Sequence, residues 1–260
     1  MSYITEPDLL YGLFFFLVFG LGICIASFLN VLIYRWPRKL DYIRGNSFCP
    51  DCRHILAVRD LMPLISYCCL RGHCRYCGKA ISPCYPLVEL LGGILALFAL
   101  LIYGPNLTAL AVFALIAGLI PVAFIDFYTL EIPNGLVLYL LIPAIALIFL
   151  LPGPTFWSHG LGLIAISLPL ILITGLIPGA FGGGDIKLMA VGGLALGWQL
   201  SLLAIFLSFL TGGIFGIYLI IFKHAQRKQP IAFGPFLAIG ITTALLVGNT
   251  MIQWYVGLFY

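Results

Sequence analysis

From Leu9 to Tyr34 the chain carries no charged side chain, and seven further apolar runs follow. Runs of this length have few folded destinations. In a bilayer, about 20 apolar residues cross the ~30 Å hydrocarbon core as a helix, whose backbone polar groups satisfy one another. The later runs are Leu87–Tyr103, Leu107–Ile125, Gly135–Leu151, Gly160–Ile177, Ile186–Leu196, Leu200–Phe222 and Pro235–Gly248. Turn signals at Gly104-Pro105-Asn106, Pro152-Gly153-Pro154 and Pro178-Gly179 separate several of them. Hydrophobic residues make up 62% of the chain and charged residues 8%, with a mean hydropathy of +1.13. That composition excludes a soluble domain. The expectation is an all-α polytopic membrane protein of about eight transmembrane helices, set in membrane lipid.

The few charges fall on one side. Nine of the thirteen Lys and Arg residues lie between Arg35 and Pro86: Arg35, Arg38, Lys39, Arg44, Arg53, Arg59, Arg71, Arg75 and Lys79. A loop so basic stays in the cytoplasm. The segment before Leu9 holds Glu6 and Asp8 but no Lys or Arg, so the first run reads as an uncleaved helix with its N-terminus outside. Eight spans then place the remaining Lys187, Lys223, Arg227 and Lys228 inside, with the loops Asp126–Asn134, Pro178–Asp185 and Lys223–Pro230. The chain divides into a first helix (1–34), a cytoplasmic loop (35–86) and a seven-helix bundle (87–260). Within the loop, the apolar piece Leu61–Leu70 forms a small core or lies on the membrane surface. The basic residues form no run, so nucleic acid is not an expected partner. Gly193-x3-Gly197 and Gly212-x3-Gly216 fit close helix packing.

Eight cysteines are present, at 24, 49, 52, 68, 69, 74, 77 and 84. Cys49-x2-Cys52 and Cys74-x2-Cys77 are knuckle-like pairs with twenty-one residues between them, close to zinc-ribbon spacing. Four thiolates make a closed tetrahedral structural zinc site, and a reducing cytoplasmic location argues against disulfides. His54 and His73 are near enough in sequence to be rival ligands. Cys24 reads as a buried residue; Cys68, Cys69 and Cys84 have no assigned role.

Two carboxylates stand out among the apolar runs: Asp126 in Ile125-Asp126-Phe127, and Asp185 in Phe181-Gly182-Gly183-Gly184-Asp185-Ile186-Lys187. Ionisable groups among membrane segments are expensive and by default functional. A pair sharing one proton is the arrangement that activates water in aspartic proteases. Gly182 and Gly184 would let a substrate backbone approach and free the local chain from helical geometry. Lys187 would orient Asp185 or bind phospholipid. Other readings stay open: the glycines as a plain turn, Asp185 as a helix N-cap, Lys187 as a membrane-edge marker. The rival function is a transporter using Asp126 and Asp185 as a proton or cation relay. No His-Glu-x-x-His or Gly-x-Ser-x-Gly motif is present.

In order along the chain, Ser27-Phe28-Leu29-Asn30-Val31-Leu32-Ile33-Tyr34-Arg35-Trp36-Pro37, the paired Cys-x2-Cys block and Ile81-Ser82-Pro83-Cys84-Tyr85-Pro86-Leu87-Val88-Glu89-Leu90 resemble the type IV prepilin leader peptidases. So do Ile125-Asp126 leading to Glu131-Ile132-Pro133-Asn134, the Gly-x-Gly-Asp of Gly182–Asp185 with Lys187, and Phe233-Gly234-Pro235-Phe236. The departures include Leu61, where the family often has Asn, and Asn134, where Asp is frequent. The resemblance implies an aspartic endopeptidase of the bacterial inner membrane, acting at the cytoplasmic face with Asp126 and Asp185 as its catalytic pair. It implies prepilin or pseudopilin substrates, cut after a glycine. It also implies N-methylation of the new terminus with S-adenosylmethionine, by the loop part of the chain.

Overall fold

A computed structural model describes residues 6–42, 44–223 and 231–258, so the expected placement of Arg227 and Lys228 lies outside them. The chain forms two compact units, Met1–Leu101 and Ile102–Tyr260. Among the described residues, eight long helices follow the order of the eight apolar runs, with no strands beyond two isolated bridges. Six are long and apolar enough to cross a membrane.

In the first unit, α1 (Glu6–Arg35) leads into an irregular segment containing a 3-10 turn, Val58–Asp60, and the short α2, Ile65–Cys69. α3 (Cys84–Tyr103) follows. α1 and α3 touch through small residues: a Cβ on Gly22 would meet the Ala96 Cβ at 2.7 Å, and one on Gly92 would strike Ala26. Lipid tails are as apolar as leucine, so close packing of such residues holds membrane helices together. The Leu61–Leu70 piece is divided. Leu61, Met62 and Ile65 are exposed, whereas Leu61 also joins Tyr67 and Leu70 around an internal cavity.

The second unit holds α4 (Leu107–Thr129), α5 (Asn134–Leu150), α6 (Phe156–Leu176), α7 (Gly183–Leu196), α8 (Trp198–Lys223) and α9 (Gly234–Val256). α4 is its centre, with 78% of its apolar window buried against 11% for α8. From Leu202 to Phe222 the large exposed residues of α8, such as Phe206, Ile214 and Ile217, are hydrocarbon or aromatic, as a lipid-facing surface requires. α6 and α7 approach through Gly162 and Gly193, each of whose absent Cβ would strike the other's backbone. Gly197 ends α7 with φ +77, a left-handed value that glycine adopts without strain. Gly212 sits against Phe236 of α9, whereas a Cβ on Gly216 would meet only Ile231 Cδ1, at 3.9 Å, so only the first glycine of that pair serves close packing. Ser201 and Ser208 donate to the carbonyls of Gly197 and Ala204, which satisfies buried hydroxyls without a partner helix.

Two helix ends differ from the sequence expectation. α4 continues a full turn past Ile125, so Asp126 is helical and does not begin a loop. α7 begins at Gly183, not at Ile186, so Gly183, Gly184 and Asp185 form its first turn and are not freed from helical geometry. α5 and α7 are shorter than the other helices, at 17 and 14 residues.

Candidate functional site

At one end of the second unit, the last turn of α4 meets the first turns of α5, α7 and α9. Asp126 is 4% exposed, and its Oδ2 accepts the Gly234 N–H at 2.7 Å. Asp185 is half-buried, and its Oδ2 accepts the Gly182 N–H at 3.1 Å. Gly182 is the N-cap of α7 and Asp185 its third residue, so the carboxylate closes one half of a capping box. This bond is why α7 starts three residues early. The two carboxyls are near enough to act on each other electrostatically. In both, Oδ1 has no partner among the described residues.

The glycines divide by role. A Cβ on Gly184 would meet the Ile132 Cβ at 2.8 Å, so its absence lets α7 sit against the α4–α5 connection. One on Gly183 would meet nothing within 4 Å. Gly234 stood in the sequence only within the Phe233-Gly234-Pro235-Phe236 motif, with no role of its own. A side chain there would lie 2.7 Å from Asp126 Oδ2, so only glycine brings its N–H so close to the acid. The signal was Phe233-Gly234-Pro235, a proline in the first turn of a helix. Lys187 Nζ donates to Asn134 Oδ1 at 3.0 Å and makes no ion pair with Asp185. Of the two roles expected for Lys187, orienting Asp185 or binding phospholipid, the first has no direct contact behind it, and the side chain ties α7 to α5. Phe181 and Phe233, the residues preceding the two donor glycines, pack with ring centroids 6.0 Å apart, and Phe209 of α8 completes the cluster.

The first unit gathers the four paired cysteines. The Sγ atoms of Cys49, Cys52, Cys74 and Cys77 all lie within 4.8 Å of one another, a cluster able to hold a metal ion. The two pairs fold alike. The Cys49 N–H donates to the His54 carbonyl and the Cys74 N–H to the Lys79 carbonyl. The bridges Phe48–Ile55 and His73–Ala80 flank them, and Arg53 and Gly78 take left-handed φ at matching positions. Donation from the Cys77 and Tyr76 N–H groups draws the Cys74 thiol down to about 7, while burial pushes that of Cys49 up. Neither rival histidine joins the cluster: His54 packs on the Tyr76 ring at 3.6 Å, and His73 Nδ1 lies 2.7 Å from the Arg71 carbonyl oxygen.

Helices long and apolar enough to cross a bilayer, two carboxyls at one bundle end and a four-cysteine segment between α1 and α3 define a polytopic integral membrane protein with a polar appendage. Residues 20–103 match the family model described as the bacterial peptidase A24 N-terminal domain, and residues 113–217 match that of the type IV leader peptidase family. A prepilin leader peptidase/N-methyltransferase of Aeromonas salmonicida is 35% identical, covering 94% of each chain. Proteins of the same name from Bacillus subtilis and Pseudomonas aeruginosa are 34% and 33% identical, covering 92% and 90% of this chain and 97% and 91% of their own. No solved structure matches the chain significantly. The chain belongs to the type IV leader peptidase family.

Proposed function

We propose that the protein is a membrane aspartic endopeptidase that removes the leader of prepilins or pseudopilins, with Asp126 and Asp185 as its catalytic pair. The observation that carries this is the pair's geometry. Two carboxyls from different helices are each pinned through Oδ2 by a glycine N–H, which leaves both Oδ1 atoms for water and substrate. One carboxylate, ionised, takes a proton from water; the other, protonated, donates to the scissile carbonyl. Pinning by backbone donors holds the acids in place before substrate arrives, which removes reorganisation from the chemical step. The transporter reading has no comparable support, since both acids lie at helix ends on one end of the bundle and not along a path.

The one-sided charges favour an inner-membrane location with this end facing the cytoplasm. The four-thiolate donor set fits zinc as a closed structural site. Cys49, Cys52, Cys74 and Cys77 would hold it as a structural ion. The names of the relatives support a second activity, N-methylation of the new terminus, for which S-adenosylmethionine supplies the methyl group. Within this reading, residues 35–86 carry the methyl-transfer part and 87–260 the peptidase part.

The test incubates purified protein with a prepilin, with and without S-adenosylmethionine, and reads product masses. Asp126→Asn and Asp185→Asn each abolish leader removal, while the variants stay folded and membrane-inserted. Cleavage at near wild-type rate by either variant removes that residue from the pair.

A further inference from the structure

The first unit contains a cavity of about 200 Å³ between α1, the cysteine segment and the start of α3. Tyr34, Phe48, Tyr67, Tyr76, Tyr85 and Glu89 line it. Aromatic faces attract cations, and two of the charges in the wall, Arg35 and Glu89, have no ion-pair partner among the described residues. Asp60 is paired with Arg75 Nε at 2.7 Å and accepts the Tyr76 hydroxyl at 2.9 Å. Arg35 donates to the carbonyls of Asp41, Arg44 and Asn46, at 2.7, 3.5 and 2.9 Å, and lies over the Phe48 ring. Arg35 is held by these neutral groups, and Glu89 is the unpaired acid of the wall. It is 8% exposed, its Oε2 accepts the Leu64 N–H at 2.9 Å, and no cation among the described residues pairs with it. A buried carboxylate without a cation is costly, and a cationic ligand removes that cost.

We propose that this cavity receives the cationic group of a methyl-transfer ligand, with Glu89 as its counter-ion and the Tyr67 and Tyr85 rings beside it, since Arg38 already covers Tyr34 and His54 covers Tyr76. The inference rests on the methyl-transfer reading above. Two participants in that chemistry carry such a group: the sulfonium of S-adenosylmethionine and the protonated α-amino group of a peptide. The cavity is smaller than the roughly 300–1,000 Å³ of drug-sized ligand sites. It therefore encloses the charged group and leaves the rest of either ligand outside. Each cation has a neutral counterpart, S-adenosylhomocysteine for the donor and an N-acetylated chain for the peptide, which a counter-ion site separates by charge alone.

The full chain in lipid nanodiscs is titrated calorimetrically, without turnover. The four probes are S-adenosylmethionine, S-adenosylhomocysteine, a short apolar peptide with a free N-terminus and its acetylated form. Glu89→Gln removes the charge but keeps an acceptor for the Leu64 N–H. It weakens one of the two cations about tenfold or more and changes that cation's neutral counterpart less than twofold. Tyr67→Leu weakens the same cation by at least threefold, again sparing the counterpart. Loss confined to S-adenosylmethionine assigns the sulfonium; loss confined to the free peptide assigns the amine. The proposal is overturned if neither cation binds, if Glu89→Gln weakens neither, or if it weakens charged and neutral ligands alike. Should Glu89→Gln fail to fold, Tyr67→Leu decides by the same comparison. Because binding is read apart from cleavage, this result and the fate of the aspartate pair are independent.

Discussion

Gly234→Ala is the substitution that tests the site most sharply without touching either acid. The new Cβ would lie 2.7 Å from Asp126 Oδ2 and 3.0 Å from its Cβ and Cγ. Two of those atoms sit close to the α4 backbone, and Asp126 is 4% exposed, so the side chain has little room to swing aside. The start of α9 or the carboxyl must shift, and the 2.7 Å hydrogen bond from Gly234 N–H is lost. A hydrogen bond to a charged group is worth about 1.5–3 kcal/mol. If that whole loss is felt in the transition state, kcat/KM for leader removal falls roughly 10- to 150-fold. Gly183→Ala is the control. Its Cβ meets nothing within 4 Å, and alanine gains about 0.8–1 kcal/mol of helix propensity over glycine in a helix interior, less in a first turn. It should melt no lower than wild type and cleave at a similar rate. The assay is steady-state cleavage of a prepilin, alongside a thermal melt that separates loss of fold from loss of site. Gly234→Ala cleaving within twofold of wild type would falsify the assignment of its N–H to positioning Asp126.

Gly184→Ala forces Ile132 away from α7 and should lower both melting temperature and cleavage, measured as for Gly183→Ala; equal behaviour of the two variants refutes the division of the glycines. Lys187→Met removes the tie to Asn134 and, because no ion pair to Asp185 is broken, should reduce cleavage by less than about tenfold; loss as deep as that of Asp185→Asn would restore a direct role for the lysine. Replacing Cys49 and Cys77 by Ser should release the metal, seen by elemental analysis, and lower methylation more than cleavage, since structural zinc contributes on the order of 10 kcal/mol to the order of such segments; full metal retention refutes the ligand set. Reporter fusions should place Glu131 and Ala180 on one face and Gly153 on the other, because Glu131 and Ala180 lie in the connections that meet at the site; Glu131 and Ala180 on opposite faces would break the topology.

The order of the helices was legible because six of the apolar runs are long enough to cross a bilayer and permit little else, with turn signals marking off the shorter ones. The cluster of four cysteines was legible because two short spacings fix two knuckles, whatever surrounds them. The ends of the helices at the site were not. Three glycines and a charge argue locally against helix, and the bond that overrides them, Gly182 N–H to Asp185 Oδ2, is visible only once the turn exists. The same limit hid the differences among the glycines. In sequence Gly183 and Gly184 are equivalent, and what separates them is Ile132, some fifty residues earlier in the chain. Gly234 lies farther still, 108 residues from the carboxylate it binds. Glu89 read as part of a motif, and its lack of a cation appeared only when the neighbouring charges had found their partners.

The packing of Phe181, Phe209 and Phe233 makes the beginnings of α7 and α9 one mechanical part. Each of the outer two rings precedes a glycine that grips one acid, so a push on either ring reaches both grips through close-packed atoms. Gly234 holds an acid of α4, whereas Gly182 holds one of its own helix. The adjustable joint of the pair is therefore the seam between α4 and that shared part. A wedge that parts α9 from α4 would pull the two carboxyls out of register together, without occupying the space between them.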